Sequence, residues 1–286
     1  MNQVNPLQKY YRQPSIYITL PSKGKYYSED VFTPTSTGEI PVLPMTAKDE
    51  LAFKTPDAMM SGQATVDVIQ SCLPNIHNAW QLVNYDLDTV LLAIRIASYG
   101  ESMDVNVVVP VINEEFAHSV NLPTLLDTVK NANIVDTAKT SNGFTVKFNP
   151  LTYKQITHSQ QAAFTQQKTY ISIEGSTLSD DEKNRRFAEG YKKLTDLNFG
   201  LLLDSVASIT TPEGDTVTDI QQLREFLDNG SSKVVTEIQN ELGKVRTQAA
   251  FKPLKLKANE EQIKRGAPVT FEVPITFDNS NFFVYN

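Results

Sequence analysis

The chain has 286 residues, with 33 Asp+Glu against 26 Lys+Arg for a formal net charge of -7, 40% hydrophobic residues and one cysteine. That length can bury a sizeable core as one large domain or two, and the acidic balance argues against a general nucleic-acid binder, which presents basic surface to phosphates. Cys72 alone excludes an internal disulfide and fits a reducing compartment, while no apolar run reaches the roughly 18 residues of a membrane span.

Residues 1–14 are polar and proline-bearing, read as a mobile arm without the apolar core of a signal peptide. Ser15–Leu20 alternates like a strand, and Pro21–Tyr27 follows as a turn. Lys23-Gly24-Lys25 lacks the G-x-x-x-x-G-K-[ST] spacing of a phosphate loop, so it reads as part of that turn. Glu39–Leu43 is expected to be a second short strand. Thr46 then caps a helix with Asp49 three residues on. A further helix covers Gly62–Cys72, with Val66, Ile69 and Leu73 on one face and Pro74 ending it.

The organising stretch is Asp86–Leu122. Leu87, Val90, Leu91, Ile94 and Ala97 recur at helical spacing, and Leu92, Ala93 and Ile96 widen the apolar surface, so a buried helix is expected. Asp86 is placed to cap it and Gly100 to end it. Past Gly100 the period falls to 2: Val105, Val107 and Val109, then Phe116, His118, Val120 and Leu122, alternate as a hairpin.

A short helix is expected over Pro123–Asn131. Ser141-Asn142-Gly143 is a hairpin turn, because Asn-Gly accepts positive φ, joining strands at Ile134-Val135 and Phe144–Phe148. From Asn149 to about Ala250 the pattern is helical. Ser179 and Glu182 form a capping box before a helix whose buried face carries Phe187, Tyr191, Leu194, Leu201 and Leu202. Thr211–Gly214 is a turn, Thr218 and Gln221 cap the next helix, Asn229-Gly230 stops it, and a last helix carries Val234, Val235, Ile238, Leu242 and Val245. Val269, Phe271, Val273, Ile275 and Phe277 then alternate as a strand expected to pair with the Val105–Val109 hairpin, at an edge because Pro274 cannot donate to a ladder.

The expected fold is α+β: a small antiparallel β unit packed on helices, with an all-helical insertion. Its core is assigned to residues 15–149 and 251–286, and the insertion to 150–250. Chemical signals are weak. His77, His118 and His158 are the only histidines and, with one cysteine, make no zinc motif. No G-x-S-x-G elbow and no G-x-G-x-x-G is present, so neither a serine nucleophile nor a nucleotide site is implied, and no cofactor follows. Cys72 lies on an apolar helix face and reads as a buried small residue. The acid runs Asp180-Asp181-Glu182 and Glu260-Glu261 read as first-turn or solvated features.

Four stretches carry a family likeness: LPSKGKYY (Leu20–Tyr27), GEIPVLPMTAKDEL (Gly38–Leu51), LLAIRIASYGESMDVNVVVPVINEEF (Leu91–Phe116) and FEVPITFDNSNFF (Phe271–Phe283). In order and spacing they resemble the baseplate proteins of T-even-type contractile-tailed phages, described as baseplate hub subunits or hub assembly proteins. The likeness covers residues 15–150 and 265–286. In that family the hairpin carries a Cys-Pro-x-Cys knuckle, half of a zinc ribbon. Here the matching positions are Val109, Pro110, Val111 and Ile112, with Asn113 in place of the usual glycine, so the resemblance implies a degenerate, metal-free hairpin held by apolar burial.

The resemblance further implies a non-enzymatic protein of tail assembly and virion morphogenesis. Its partners would be other baseplate hub proteins, met in the host cytoplasm during assembly and in the virion tail. An assembly chaperone absent from the mature virion is an alternative, as is a metal-binding module or enzyme on the same scaffold. Tyr26, Tyr27, Phe282, Phe283 and Tyr285 are the candidate partner contacts, because aromatic anchors dominate many interfaces. The oligomeric state is not implied.

Overall fold

The computed structural model describes residues 5–54 and 61–274. Small antiparallel sheets are mixed with helices, and the class is α+β. In chain order the elements are β1 (Ile16–Ile18), β2 (Ile40–Val42), α1 (Ala47–Phe53), α2 (Gln63–Cys72), α3 (Asn84–Tyr99), β3 (Ser102–Val109), β4 (Glu114–Asn121) and α4 (Leu122–Lys130). There follow β5 (Thr137–Lys139), β6 (Thr145–Phe148), α5 (Tyr153–Glu174), α6 (Asp180–Asp204), β7 (Val206–Thr210), β8 (Thr216–Val217), α7 (Ile220–Asn229), α8 (Ser232–Thr247), β9 (Leu254–Lys257), α9 (Glu260–Lys264) and β10 (Thr270–Val273).

The helix expected at the centre is there. In α3 every residue from Thr89 to Ile96 is buried, so it packs on all sides and not along one stripe. Around it lie α2, the β1–β2 pair, α4 and the base of the β3–β4 hairpin, forming the first core. Gly100 ends the helix at φ 94°, ψ -176°, a conformation that only glycine adopts freely, and its Cβ position faces open space. The backbone angle alone therefore demands glycine there. At α1, Thr46 accepts from the Asp49 amide while Asp49 reaches back to the Thr46 amide, as the spacing predicts.

A second core is built on the sheet β5-β6-β7-β8, covered by α7, α8 and the C-terminal part of α6. Here the sequence-based expectation fails: residues 150–250 are not all helical, because β7 and β8 lie within them and extend the β5–β6 hairpin. The upstream strand of that hairpin is Thr137–Lys139, not Ile134-Val135. Gly143 takes the expected positive φ of 86° in its turn. The cap of α7 is also corrected. Asp219 accepts from the Gln221 and Gln222 amides, a role assigned above to Thr218.

A third, small cluster joins the far end of the β3–β4 hairpin to the C-terminal segment: Val107 and Val109 pack with Ala258, Ala267 and Phe271. The two halves expected to meet do meet, but by face packing. The hydrogen-bonded partner of β10 is β9, in register Phe271 to Leu256 and Val273 to Leu254. Pro274 follows directly after the last paired residue, where no ladder bond is needed. Ile275 and Phe277 lie outside the described residues.

Two other expectations need adjustment. The supposed arm is tied down at Arg12, whose guanidinium donates to Pro44 O at 2.7 Å, Ser71 O at 2.7 Å and Ser71 Oγ at 2.8 Å, with Asp49 at 3.3 Å. Ser179 does accept from the Glu182 amide, yet the Glu182 carboxylate pairs with Arg185 and Arg186 and does not close the box.

Candidate functional site

The first and second cores meet along a short seam. Val83 bridges Thr152, the Asn84 amide donates to Leu151 O at 2.9 Å, and the Tyr153 amide donates to Leu82 O at 2.7 Å. The turn Pro21–Tyr27 folds over this seam. It is held from below by Asp86, which is fully buried in the first turn of α3 and does not cap it as the sequence suggests, because the helix begins at Asn84 with Val83 at the cap position. Its carboxylate instead accepts from the Ser22 amide at 2.8 Å, from the Ser22 hydroxyl, and from the Tyr27 hydroxyl at 2.6 Å. Tyr27 Oη in turn accepts from the Val83 amide at 3.1 Å. Burial pushes the Asp86 carboxyl above its ordinary value, against the opposing pull of the Ser22 and Tyr27 hydrogen bonds. The Tyr27 hydroxyl is likewise raised, first by burial and then by the Asp86 charge.

Beside this node the turn carries a second, more exposed tie. Lys25 Nζ lies 2.7 Å from Asp136 Oδ2, and the Tyr26 hydroxyl donates to the same oxygen at 3.4 Å. Burial raises the Asp136 carboxyl, but the Lys25 hydrogen bond and charge, the Lys147 charge and a backbone hydrogen bond together outweigh it and the net shift is downward. Burial and the Asp136 charge push Tyr26 up to about 12. Tyr26 and Tyr27 are therefore not the exposed anchors expected from the sequence: both are half-buried. Tyr27 packs against both cores, and Tyr26 lies 6.0 Å from the Tyr85 ring.

What remains accessible of the two rings lines a cleft of about 420 Å³ at the seam, with Asp30, Gln155 and Asp204 on its walls. Its polar groups are committed in part, since Gln155 Nε2 donates to Asp204 Oδ2 at 3.1 Å. Phe282, Phe283 and Tyr285 lie outside the described residues.

The knuckle positions form the tip of the β3–β4 hairpin. Val109 is fully buried at the end of β3, whereas Val111 is 74% exposed with φ 74°, an unusual angle for a β-branched residue. Asn113 has φ 50°, a left-handed conformation that asparagine tolerates, and its amide donates to Val109 O at 3.0 Å. Next to the tip, Glu114 accepts from Gln262 Nε2 at 2.9 Å and pairs with Arg265. Among the described residues no three His, Cys, Asp or Glu side chains converge as metal ligands. Cys72 is fully buried, and burial pushes its thiol up to about 12, far from the reactive thiolate range.

A long, mostly solvent-facing feature is the α5–α6 pair, 22 and 25 residues long. Its only buried residues are Tyr153, Thr157 and Ile173 on α5 and Gly190, Leu202 and Leu203 on α6. The helices touch through Tyr170, stacked on Phe187 at 5.3 Å and tilted against Tyr191 at 5.6 Å. Gly190 permits this approach, because a Cβ there would sit 3.1 Å from Tyr170 Oη. Large apolar side chains stay in water: Ile171 is 65% and Tyr191 67% exposed, with Phe164 also accessible. The sequence-based reading assigned Tyr191 to a buried face. Helical periodicity cannot tell a core stripe from one kept for a partner. No helix among the described residues is long and apolar enough to cross a membrane.

No curated protein and no solved structure matches the chain. A family model described as T4 bacteriophage base plate protein matches residues 13–271, which takes in both cores, the seam and the α5–α6 pair. The chain belongs to the T4 bacteriophage base plate protein family.

Proposed function

We propose that this chain is a component or assembly factor of the baseplate hub that works through protein–protein contact and not through catalysis. Membership of a structural baseplate family supports the general role. The observation that carries the contact reading is the α5–α6 pair, which keeps Phe164, Ile171 and Tyr191 accessible along a surface with little packing beneath it. Exposed aromatic and aliphatic groups on a helix pair suit burial by a partner, since such anchors dominate interface energetics. Tyr26 and Tyr27 contribute at the seam cleft as its accessible ring edges, and Phe282, Phe283 and Tyr285 are further candidates in the C-terminal segment. Assembly takes place in the host cytoplasm, where hub proteins are the partners.

Quantitative mass spectrometry of tail-assembly intermediates and of purified virions tests this. Presence in both at a fixed ratio to other hub proteins marks a resident component. Presence in intermediates alone marks an assembly factor that leaves. Absence from both overturns the proposal.

A further inference from the structure

The strand β1 has one partner, β2, and its opposite edge is not covered by any strand among the described residues. Ladder chemistry tells which groups face that open edge. Pro41, opposite Tyr17, has no N–H, and the Leu43 amide donates to Cys72 O at 2.8 Å. The pairs that exchange hydrogen bonds with β2 are therefore Ile16–Val42 and Ile18–Ile40. In an antiparallel ladder the residue between two such pairs turns its N–H and C=O outward. That residue is Tyr17.

A groove of about 230 Å³ runs along this edge. Ile16, Tyr17, Ile18 and Thr19 all line it. Successive side chains of a strand point to opposite faces, so four consecutive residues share a groove only when it follows the strand's edge. The opposite wall is α4, through Pro123, Leu126 and Asp127, and the floor is α3, through Thr89 and Ile96. Thr89 is 3% exposed, and its Oγ1 has no hydrogen-bond partner among the described residues. A buried hydroxyl left unpaired is costly, so the groove floor carries an unsatisfied polar group at Thr89. The space is smaller than the range usual for cofactor pockets, but it suits a strand carrying one large apolar side chain.

Charge selects the kind of strand. Glu101 and Asp127 are exposed on the rim. Among the described residues the one cation on the rim, Lys130, is directed to Glu39 at 3.6 Å. We propose that this groove is a β-augmentation site: it takes an extended segment of a partner protein, apolar at alternate positions and bearing Lys or Arg between them, which pairs with the Tyr17 backbone and sets one apolar side chain between β1 and α4. The inference extends the contact reading to a second surface. A failure here leaves the particle-composition test of that reading untouched.

The experiment uses the full chain. Displayed peptides with apolar residues at alternate positions and every residue type between are selected against it, and synthetic copies of the enriched peptides are added while amide exchange is followed by NMR. The expected result is enrichment of Lys and Arg and a slowing of exchange at Tyr17 by about tenfold or more. Leu126→Glu should weaken binding by a similar factor. The double variant Glu101→Lys/Asp127→Lys, which alters exposed rim positions only, should invert the selection towards acidic peptides.

Enrichment without a basic bias, or binding that leaves Tyr17 exchange unchanged, overturns the proposal. So does a Tyr17 amide already slow in the isolated chain and released by Phe282→Asp/Phe283→Asp, which would make the chain's own terminus the occupant. Protection that rises with protein concentration would assign the groove to a second copy and overturn it equally.

Discussion

The helix α3 and the α5–α6 pair are two helical segments packed in opposite ways. Along α3 the buried run from Thr89 to Ile96 is unbroken, and even the acid in its first turn faces inward to hold Ser22 and Tyr27. The α5–α6 pair spans more residues but buries few, and its halves are joined by aromatic rings around Gly190. Dense packing fixes position, so α3 is the element on which the sheets and the seam are hung. A helix pair that meets mostly water leaves its apolar groups available. On the proposed reading, the difference separates scaffold from contact surface within one chain.

Equal truncations should break this comparison at one end only. Leu92→Ala, in the first core, removes a fully buried side chain and should cost about 4 kcal/mol in denaturant-monitored stability, the cavity adding to the lost transfer energy. Asp86→Ala should follow at about 3 kcal/mol, because it leaves the Ser22 amide and two hydroxyls without their acceptor.

The same site gives a pH signature. The folded-state value of Asp86 is raised above the unfolded one, so its contribution is complete below the ordinary carboxylate range and is lost as pH rises through the folded value. Asp86→Asn should flatten that part of the stability–pH profile, which urea titrations at a series of pH values would measure. Gly100→Ala should cost about 1–2 kcal/mol from backbone angle alone, since nothing crowds its Cβ; thermal unfolding checks it. Smallest is Tyr191→Ala, at no more than about 0.5 kcal/mol in the isolated chain, with its effect expected instead in particle assembly.

Much of the scaffold was legible in the sequence because its signals are local. The apolar period of α3, the positive-φ demand at Gly100, the capping pair Thr46 and Asp49, and the switch to alternation at β3 each lie within a few residues of one another. Other features hid for equally physical reasons. The strand β7 begins two residues after α6 ends with no proline or glycine between them, so its alternation reads as helix. Leu254-Lys255-Leu256-Lys257 is a short alternating strand with two lysines, and its pairing with β10 depends on a return through α9.

Asp86 looked like a cap because first-turn acids commonly are. Its burial follows from the turn at Ser22 and Tyr27, 64 and 59 residues away in the chain. Tyr26 and Tyr27 looked exposed for the same reason: their partners Asp136, Asp86 and Val83 are remote in sequence. The groove beside β1 had no local signal, being assembled from β1, α3 and α4.

The direct test of scaffold against contact surface is hydrogen exchange of the full chain, compared between the isolated protein and baseplate intermediates isolated from infected cells. Amides of residues 90–96 should exchange slowly and equally in both states. Those of residues 160–195 should exchange readily in the isolated chain and become protected on assembly. An α5–α6 pair whose exchange is unchanged by assembly, with new protection confined to the first core, would contradict the division of roles proposed here.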